Sequence, residues 1–250
     1  MSKIIERLTR RETVFLLHIL QMCAECVSRE EFEEIVGCLK GLVPFEYSVF
    51  LSAHLDGDSV QEPFKLINVN YDPEWVELYA ERKYHLVDPI LKENFRSFGV
   101  QYWGDTYEKD PPALDFRTAA EGFGLRSGYT SGVRNQAGTR GGLFSFAGRD
   151  VKKCARSLAI LEFITPHLFL AVERTDNADR LSAAPALSER EKAVLRWTAQ
   201  GKTTWETAAI INIGERTVKF HVKNIMRKLN AVSRTQAAAV ASELGLLDAD

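Results

Sequence analysis

Cysteine is scarce in this chain, and the four present, Cys23, Cys26, Cys38 and Cys154, build no framework. Cys23 and Cys26 form one CxxC inside an apolar helical pattern, with no second pair, and none of the five histidines stands near another. The paired four-ligand spacing of a structural zinc site is therefore missing, and buried reduced thiols are the reading that remains. No window approaches the roughly 18 uncharged apolar residues of a membrane span. The N-terminal run Met1-Ser-Lys-Ile-Ile-Glu-Arg goes straight into mixed charge without the apolar core of an export signal, so a cytoplasmic protein is expected. There is no Gly-x-Ser-x-Gly elbow, no P-loop and no HExxH. The glycines of Gly122-Phe-Gly124-Leu-Arg-Ser-Gly128 are wrongly spaced for a dinucleotide fingerprint. These absences predict a protein that is not an enzyme and that carries neither metal nor cofactor.

What is present is the composition of an ordinary globular protein, 45% hydrophobic and 26% charged, in a length that allows two domains. The formal net charge of −2 says little, but its distribution says more. From Leu187 to Asp250 there are ten Lys and Arg against seven Asp and Glu, and the remainder has 22 against 27. A mildly basic C-terminal third on an acidic body suits a nucleic-acid-binding module joined to something else. The stretch Arg174-Thr-Asp-Asn-Ala-Asp-Arg-Leu-Ser-Ala-Ala-Pro-Ala186 is small, polar and aperiodic, and marks residues 175–186 as a linker between domains at 1–174 and 187–250.

The first domain mixes periods. Apolar spacings of three and four predict helices from about Ile4 to Cys26 and from Arg29 to Leu42. Phe45 to Ala53 and Lys65 to Val69 read as strands, and Gly128 to Val133 with Gly141 to Ala147 as a hairpin around Asn135-Gln-Ala-Gly138. Asp150 to Glu173 reads as a long helix capped by Asp150 and interrupted at Pro166. The fold class expected is α+β, with an N-terminal α/β/α sandwich on an antiparallel sheet and a C-terminal all-α domain of four helices.

In that second domain, Thr204–Ile211 and Glu215–Leu229, joined by the turn Asn212-Ile-Gly214, have helix-turn-helix spacing. Val218, Val222, Ile225 and Leu229 make one apolar stripe. Lys219 and Lys223 stack on the opposite face, where lysine can donate to guanine, and Arg216, His221, Asn224, Arg227 and Lys228 flank them within reach of phosphates. From charge alone, a solvated basic face accounts for this equally well. The wider pattern is more specific. Leu187-Ser-Glu-Arg-Glu-Lys-Ala-Val-Leu195, Gly201-Lys-Thr and Glu215-Arg-Thr-Val-Lys-Phe-His-Val-Lys-Asn224 closely resemble the DNA-binding domain of the LuxR family over about 60 residues. Gly214 departs from it, standing where relatives usually cap the recognition helix with serine. The resemblance implies a transcription regulator that binds double-stranded DNA as a homodimer and works with RNA polymerase.

In the first domain, Tyr71, Trp75 and Tyr79 lie four apart, followed by Asp88-Pro89 and Trp103. Taken alone, an aromatic stripe at helical spacing is as well explained by a core, and Asp before Pro by a helix start. Together with Gly128, however, these residues resemble the autoinducer-binding domain of acyl-homoserine-lactone receptors in the same family, over essentially residues 1 to 174. By that resemblance Trp75 donates to a lactone carbonyl, Asp88 accepts the ligand amide N–H, and Tyr71 donates to the acyl carbonyl. Tyr79 and Trp103 then pack around the head group. Phe144 stands where several relatives place a small polar contact, so it is expected to add apolar bulk to the pocket. The implied ligand is an N-acyl-homoserine lactone; the alternative is a different small molecule in the same architecture.

Overall fold

The computed structural model describes residues 6–56, 59–183 and 186–247. The chain separates into two compact units, residues 1–173 and 174–250.

The first unit opens with α1 (Arg10–Glu25) and α2 (Arg29–Leu39), each begun by a full capping box, Thr9 with Glu12 and Ser28 with Glu31. Two long strands follow, β1 (Tyr47–Asp56) and β2 (Ser59–Asn68). Then come α3 (Pro73–Glu81), α4 (Pro89–Ser97), the short β3 (Val100–Tyr102), α5 (Trp103–Lys109) and α6 (Leu114–Gly122). A hairpin of β4 (Ser127–Arg134) and β5 (Arg140–Gly148) leads into α7 (Ala155–Ala183). The five strands form one antiparallel sheet in the order β2-β1-β5-β4-β3. Asn135 shapes the hairpin turn, its carboxamide oxygen accepting from the amides of Thr139 and Arg140.

Alternation along the strands divides the unit into two cores. Phe50, Tyr129, Phe144 and Phe146 point to one face, where they pack with Leu16, Phe32, Ile35 and Ile164 of α1, α2 and α7. The other face meets α3 to α6 through Tyr71, Trp75, Tyr84, Trp103, Phe116 and Ala147. The expected α/β/α sandwich is the observed one. By composition, Ala155–Asp176 is apolar enough to cross a membrane, but its Ile160, Leu161, Ile164 and Leu168 are buried against the sheet, as in a core helix.

Three local readings need correction. α7 starts at Ala155, so Asp150 lies in the bend before it and caps nothing. Pro166 removes one backbone donor yet leaves the helix unbroken, because packing on both sides of that point outweighs it. The stretch read as an aperiodic linker continues α7 as far as Ala183, where Arg, Ala and Leu supply helix propensity despite the polar composition. Three elements, β3, α5 and α6, are too short for their sequences to show a clear period.

The second unit carries α8 (Glu189–Ala199), α9 (Thr204–Ile210), α10 (Glu215–Lys228) and α11 (Arg234–Glu243). Leu187, Val194, Leu195, Val218, Ile225, Leu229, Ala237 and Ala241 form its core. Ser188 and Glu191 make the expected capping box, and a second one, Thr203 with Glu206, starts α9. Glu191 is buried and also accepts from Lys228 Nζ at 2.7 Å, which ties α8 to α10. Asn212 takes the left-handed conformation, φ +54°, that closes the turn between α9 and α10.

Candidate functional site

The helices over the second face of the sheet leave a cavity of about 250 Å³. Tyr71, Trp75, Tyr79, Asp88 and Trp103 all line it. The chain delivers them from separate elements. Trp75 and Tyr79 come from one face of α3, begun by Asp72 and Pro73, and Tyr71 from the turn before it. Asp88 caps α4, its Oδ1 accepting from the amides of Ile90 at 2.8 Å and Leu91 at 3.4 Å. It is therefore a helix start and a cavity residue at once, because the two carboxylate oxygens divide the work. Oδ2 turns inward and accepts from the Tyr79 hydroxyl at 2.9 Å. Tyr79 thus has a polar partner as well as the packing contact with Trp75, centroid to centroid 5.6 Å.

Phe144 is not in the cavity. It is 1% exposed on the opposite face of the sheet, 4.4 Å from the Phe50 ring by centroids. The cavity receives its neighbours Leu143 and Ser145 instead. The reason is the two-residue period of β5: pairing Phe144 with Phe50 commits both to the core of α1, α2 and α7, and a shift of one residue reverses the side. Ser145 and its cross-strand partner Thr130 are the polar residues the sequence reading missed. Two aromatic residues flanking Ser145 were the available signal, since an alternating Phe-Ser-Phe segment places the serine opposite both rings.

Thr130 accepts from the Trp103 indole N–H at 2.9 Å, and its hydroxyl is 3.0 Å from that of Ser145. Those two hydroxyls hold two hydrogens and use one between them, so one remains for a cavity occupant. Gly128 keeps this arrangement possible: a Cβ there would come within 3.2 Å of the Trp103 ring and 2.5 Å of the Phe146 carbonyl. Trp75 Nε1 and the Tyr71 and Tyr107 hydroxyls meet no acceptor among the described residues. Burial, and after it the charge of Asp88, drives the Tyr71, Tyr79 and Tyr107 phenols far above the ordinary tyrosine value, so each is a neutral donor. Burial also raises the Asp88 carboxyl, while the bonds from Tyr79, Ile90 and Leu91 pull it partly back. The cavity thus offers one carboxylate acceptor among several uncommitted donors, closed in by Leu51, Leu66, Leu91, Leu125 and Leu143.

In the second unit, α10 turns Val218 and Ile225 inward and leaves Arg216, Lys219, Lys223 and Arg227 exposed, with Asn224 half-buried beside them. Lys228 is different: its ammonium is held by Glu191 and by the Ala186 carbonyl at 2.8 Å, so it is not a spare cation for phosphate. Gly214 begins α10 without a side-chain cap. Among the described residues no group of His, Cys, Asp and Glu is arranged to hold a metal.

Comparison with known proteins agrees with both halves. Residues 28–172 match the autoinducer binding domain family, and residues 185–241 match the bacterial regulatory proteins of the luxR family. The chain is 36% identical over 185 residues to the putative HTH-type transcriptional regulator y4qH of Sinorhizobium fredii, covering 72% of this chain but only 56% of that protein. It is 32% identical over 225 residues to the transcriptional activator protein AnoR of Acinetobacter nosocomialis, covering 88% of this chain and 93% of AnoR. Among solved structures, Escherichia coli SdiA in complex with octanoyl-rac-glycerol is similar at a TM-score of 0.60 and 28% identity, covering 96% of this chain and 97% of that one.

Proposed function

The chain belongs to the LuxR family of autoinducer-binding transcription regulators of quorum sensing, and from that premise we propose that its cavity takes an N-acyl-homoserine lactone. One observation carries this reading: a single inward carboxylate oxygen, on Asp88, shares a mostly apolar cavity with the uncommitted donors of Trp75, Tyr71 and Tyr107. An N-acyl-homoserine lactone has one N–H and two carbonyls, those of the lactone and the acyl amide, the complementary set. Asp88 accepts the amide N–H, Trp75 donates to the lactone carbonyl, and Tyr71 with the spare Thr130–Ser145 hydroxyl donates to the acyl carbonyl. An ionised carboxylate can only accept and an indole can only donate, so the head group has one orientation.

Residues 1–174 act as the sensing domain, 175–186 connect it, and 187–250 bind DNA in the cytoplasm. Lys219 and Lys223 read bases, while Arg216, Asn224 and Arg227 contact phosphates. Two chains share a palindromic site and present their outer surfaces to RNA polymerase. A second reading has its own support: the similar SdiA structure holds octanoyl-rac-glycerol, an acyl ester with free hydroxyls, donors of the kind that an inward carboxylate accepts.

The test is calorimetric titration with a series of N-acyl-homoserine lactones and with monoacylglycerols, on wild type and on Trp75→Phe and Asp88→Ala. Lactone binding that weakens by one to two decades in both variants is the expected result. Monoacylglycerol binding without lactone binding moves the assignment to the second reading, and equal lactone affinity in all three proteins overturns the head-group roles.

A further inference from the structure

Asn94 is a fully buried polar side chain on α4, and it stands behind the cavity rather than in its lining. Burying a carboxamide is costly unless its groups are bonded, so the partners it finds are informative. Nδ2 donates to the Gly99 carbonyl and to Gln101 Oε1, each at 3.0 Å, and to the Thr130 carbonyl at 3.3 Å. Three acceptors thus share two N–H groups. Oδ1 meets no donor among the described residues. It lies against Gly132, where a Cβ would collide with that oxygen and come within 3.0 Å of Phe98 Cα. A glycine at this point of β4 is what lets the carboxamide approach the strand.

Two of the three acceptors lead to cavity residues. Thr130 carries the hydroxyl that accepts from Trp103 Nε1 at 2.9 Å and lies 3.0 Å from the Ser145 hydroxyl. Gln101 passes the contact on, its Nε2 donating at 2.7 Å to Thr106 Oγ1 on α5, the helix that supplies Trp103 and Tyr107. At its other end α4 begins from Asp88, six residues before Asn94 or about 9 Å along the axis. One helix therefore carries the cavity's carboxylate at its start. On its second turn it carries the side chain that grips the strand bearing the donors.

We propose that Asn94 is a positioning residue for ligand binding, a role that rests on the lactone reading of the cavity. It sets the separation between the Asp88 acceptor and the Thr130–Ser145 donors. The N–H and C=O of an acyl amide point in opposite directions at a fixed spacing, so groups that hold both must themselves be held at a matching distance. Helix α4 is the spacer, and the Asn94 carboxamide fastens it to β4. Asn94 touches no ligand; it acts through Thr130.

The experiment titrates full-length protein with N-octanoyl-homoserine lactone by calorimetry. It also follows the indole N–H resonances of the ligand-free protein by proton–nitrogen correlation, with Trp103 assigned from Trp103→Phe. In Asn94→Leu, lactone affinity should fall about tenfold. The Trp103 indole proton should move upfield as its bond to Thr130 loosens, while that of Trp75 stays in place. In the Thr130→Val background Asn94→Leu should add no further loss, whereas a purely structural defect would add in full. Asn94→Ser, which keeps one donor, should give the same pattern at reduced size and serves where Asn94→Leu does not fold. A loss that persists in full in the Thr130→Val background, or a Trp103 resonance unmoved in both Asn94 variants, overturns the positioning role. Absence of lactone binding by the wild type instead strikes the lactone reading, and the proposal with it.

Discussion

Adjacent residues on β5 separate binding from folding. Ser145 gives the cavity a hydroxyl and bonds only to Thr130, so Ser145→Ala should weaken ligand affinity by about 1 kcal/mol and cost no more than about 1 kcal/mol of stability. Phe144→Ala opens a hole among Phe32, Phe50 and Phe144, and should cost roughly 3–5 kcal/mol of stability without removing a cavity contact. Chemical denaturation and calorimetry on the two variants check this, and a Phe144 variant that loses affinity while keeping its stability would return that ring to the cavity. Asp88 makes the opposite trade. Burial raises its carboxyl in the folded state, so between the unfolded and the raised folded value the folded protein still holds a proton that the unfolded chain has released. Stability of the ligand-free protein is therefore lost as pH rises from the unfolded carboxyl value upward through the raised folded value, and is flat beyond it. Asp88→Asn removes this ionisation and keeps the cap of α4. It should be more stable than wild type at pH 7 without ligand, and equal to it near pH 3, while binding the ligand more weakly. Thermal melts at both pH values decide it.

At the scale of elements, the second unit depends on how α8 and α10 are joined. Glu191 is buried at the head of α8, where burial pushes its carboxyl up and the bonds from Lys228 and from the Ser188 amide more than offset that, leaving it lowered. Glu191→Ala therefore loses a capping box and strands Lys228 together, and should destabilise this unit by about 2–3 kcal/mol. The measurement is hydrogen exchange across residues 189–241, with the first unit's sheet as internal control. On α10 itself, Lys219→Ala or Lys223→Ala should each weaken specific DNA binding by ~1–3 kcal/mol and relax base preference at one position, without any loss of fold.

These elements also show what the sequence could and could not reveal. The C-terminal helices were legible because their caps and period lie within a few residues of one another, as in Ser188-Glu-Arg-Glu191. The starts of α3 and α4 follow the same local rule, but that Tyr71, Trp75, Tyr79 and Asp88 line a cavity was legible only through the family resemblance, since their spacing alone fits a core as well. Ser145 and Thr130 were hidden because their side of the sheet is set by pairing with β1 and with each other, contacts between residues far apart in the chain. The course of α7 through Pro166 was hidden too, since tertiary burial of Ile164 and Leu168 on either side outweighs the local cost of the proline.

At the scale of the whole molecule, ligand and DNA act through mass action. A ligand that binds only the folded sensing unit adds about 2.7 kcal/mol at 100 times its Kd, so ligand at that level should raise the melting temperature of wild type and, with affinity down by one to two decades, give Asp88→Ala and Trp75→Phe at most about half that stabilisation. DNA binding raises a question of copy number. One helix-turn-helix contacts little DNA, and affinity commonly comes from two of them on half-sites about one turn apart. In α11, Ala237 and Ala241 are used in the unit's own core, which leaves Thr235, Ala239 and Ser242 outward at spacings of four and three. Small residues on that stripe let a second α11 approach closely, and a bulky charge there would be buried without a partner if two copies meet. Ala239→Arg should thus change folding stability by no more than about 0.5 kcal/mol, as surface substitutions do, yet lower affinity for a full palindrome far more than for a half-site. Sedimentation of the wild type with operator DNA should show two chains per palindrome at saturation. One chain per full site, or an Ala239→Arg protein that binds palindrome and half-site as the wild type does, would rule out pairing through α11.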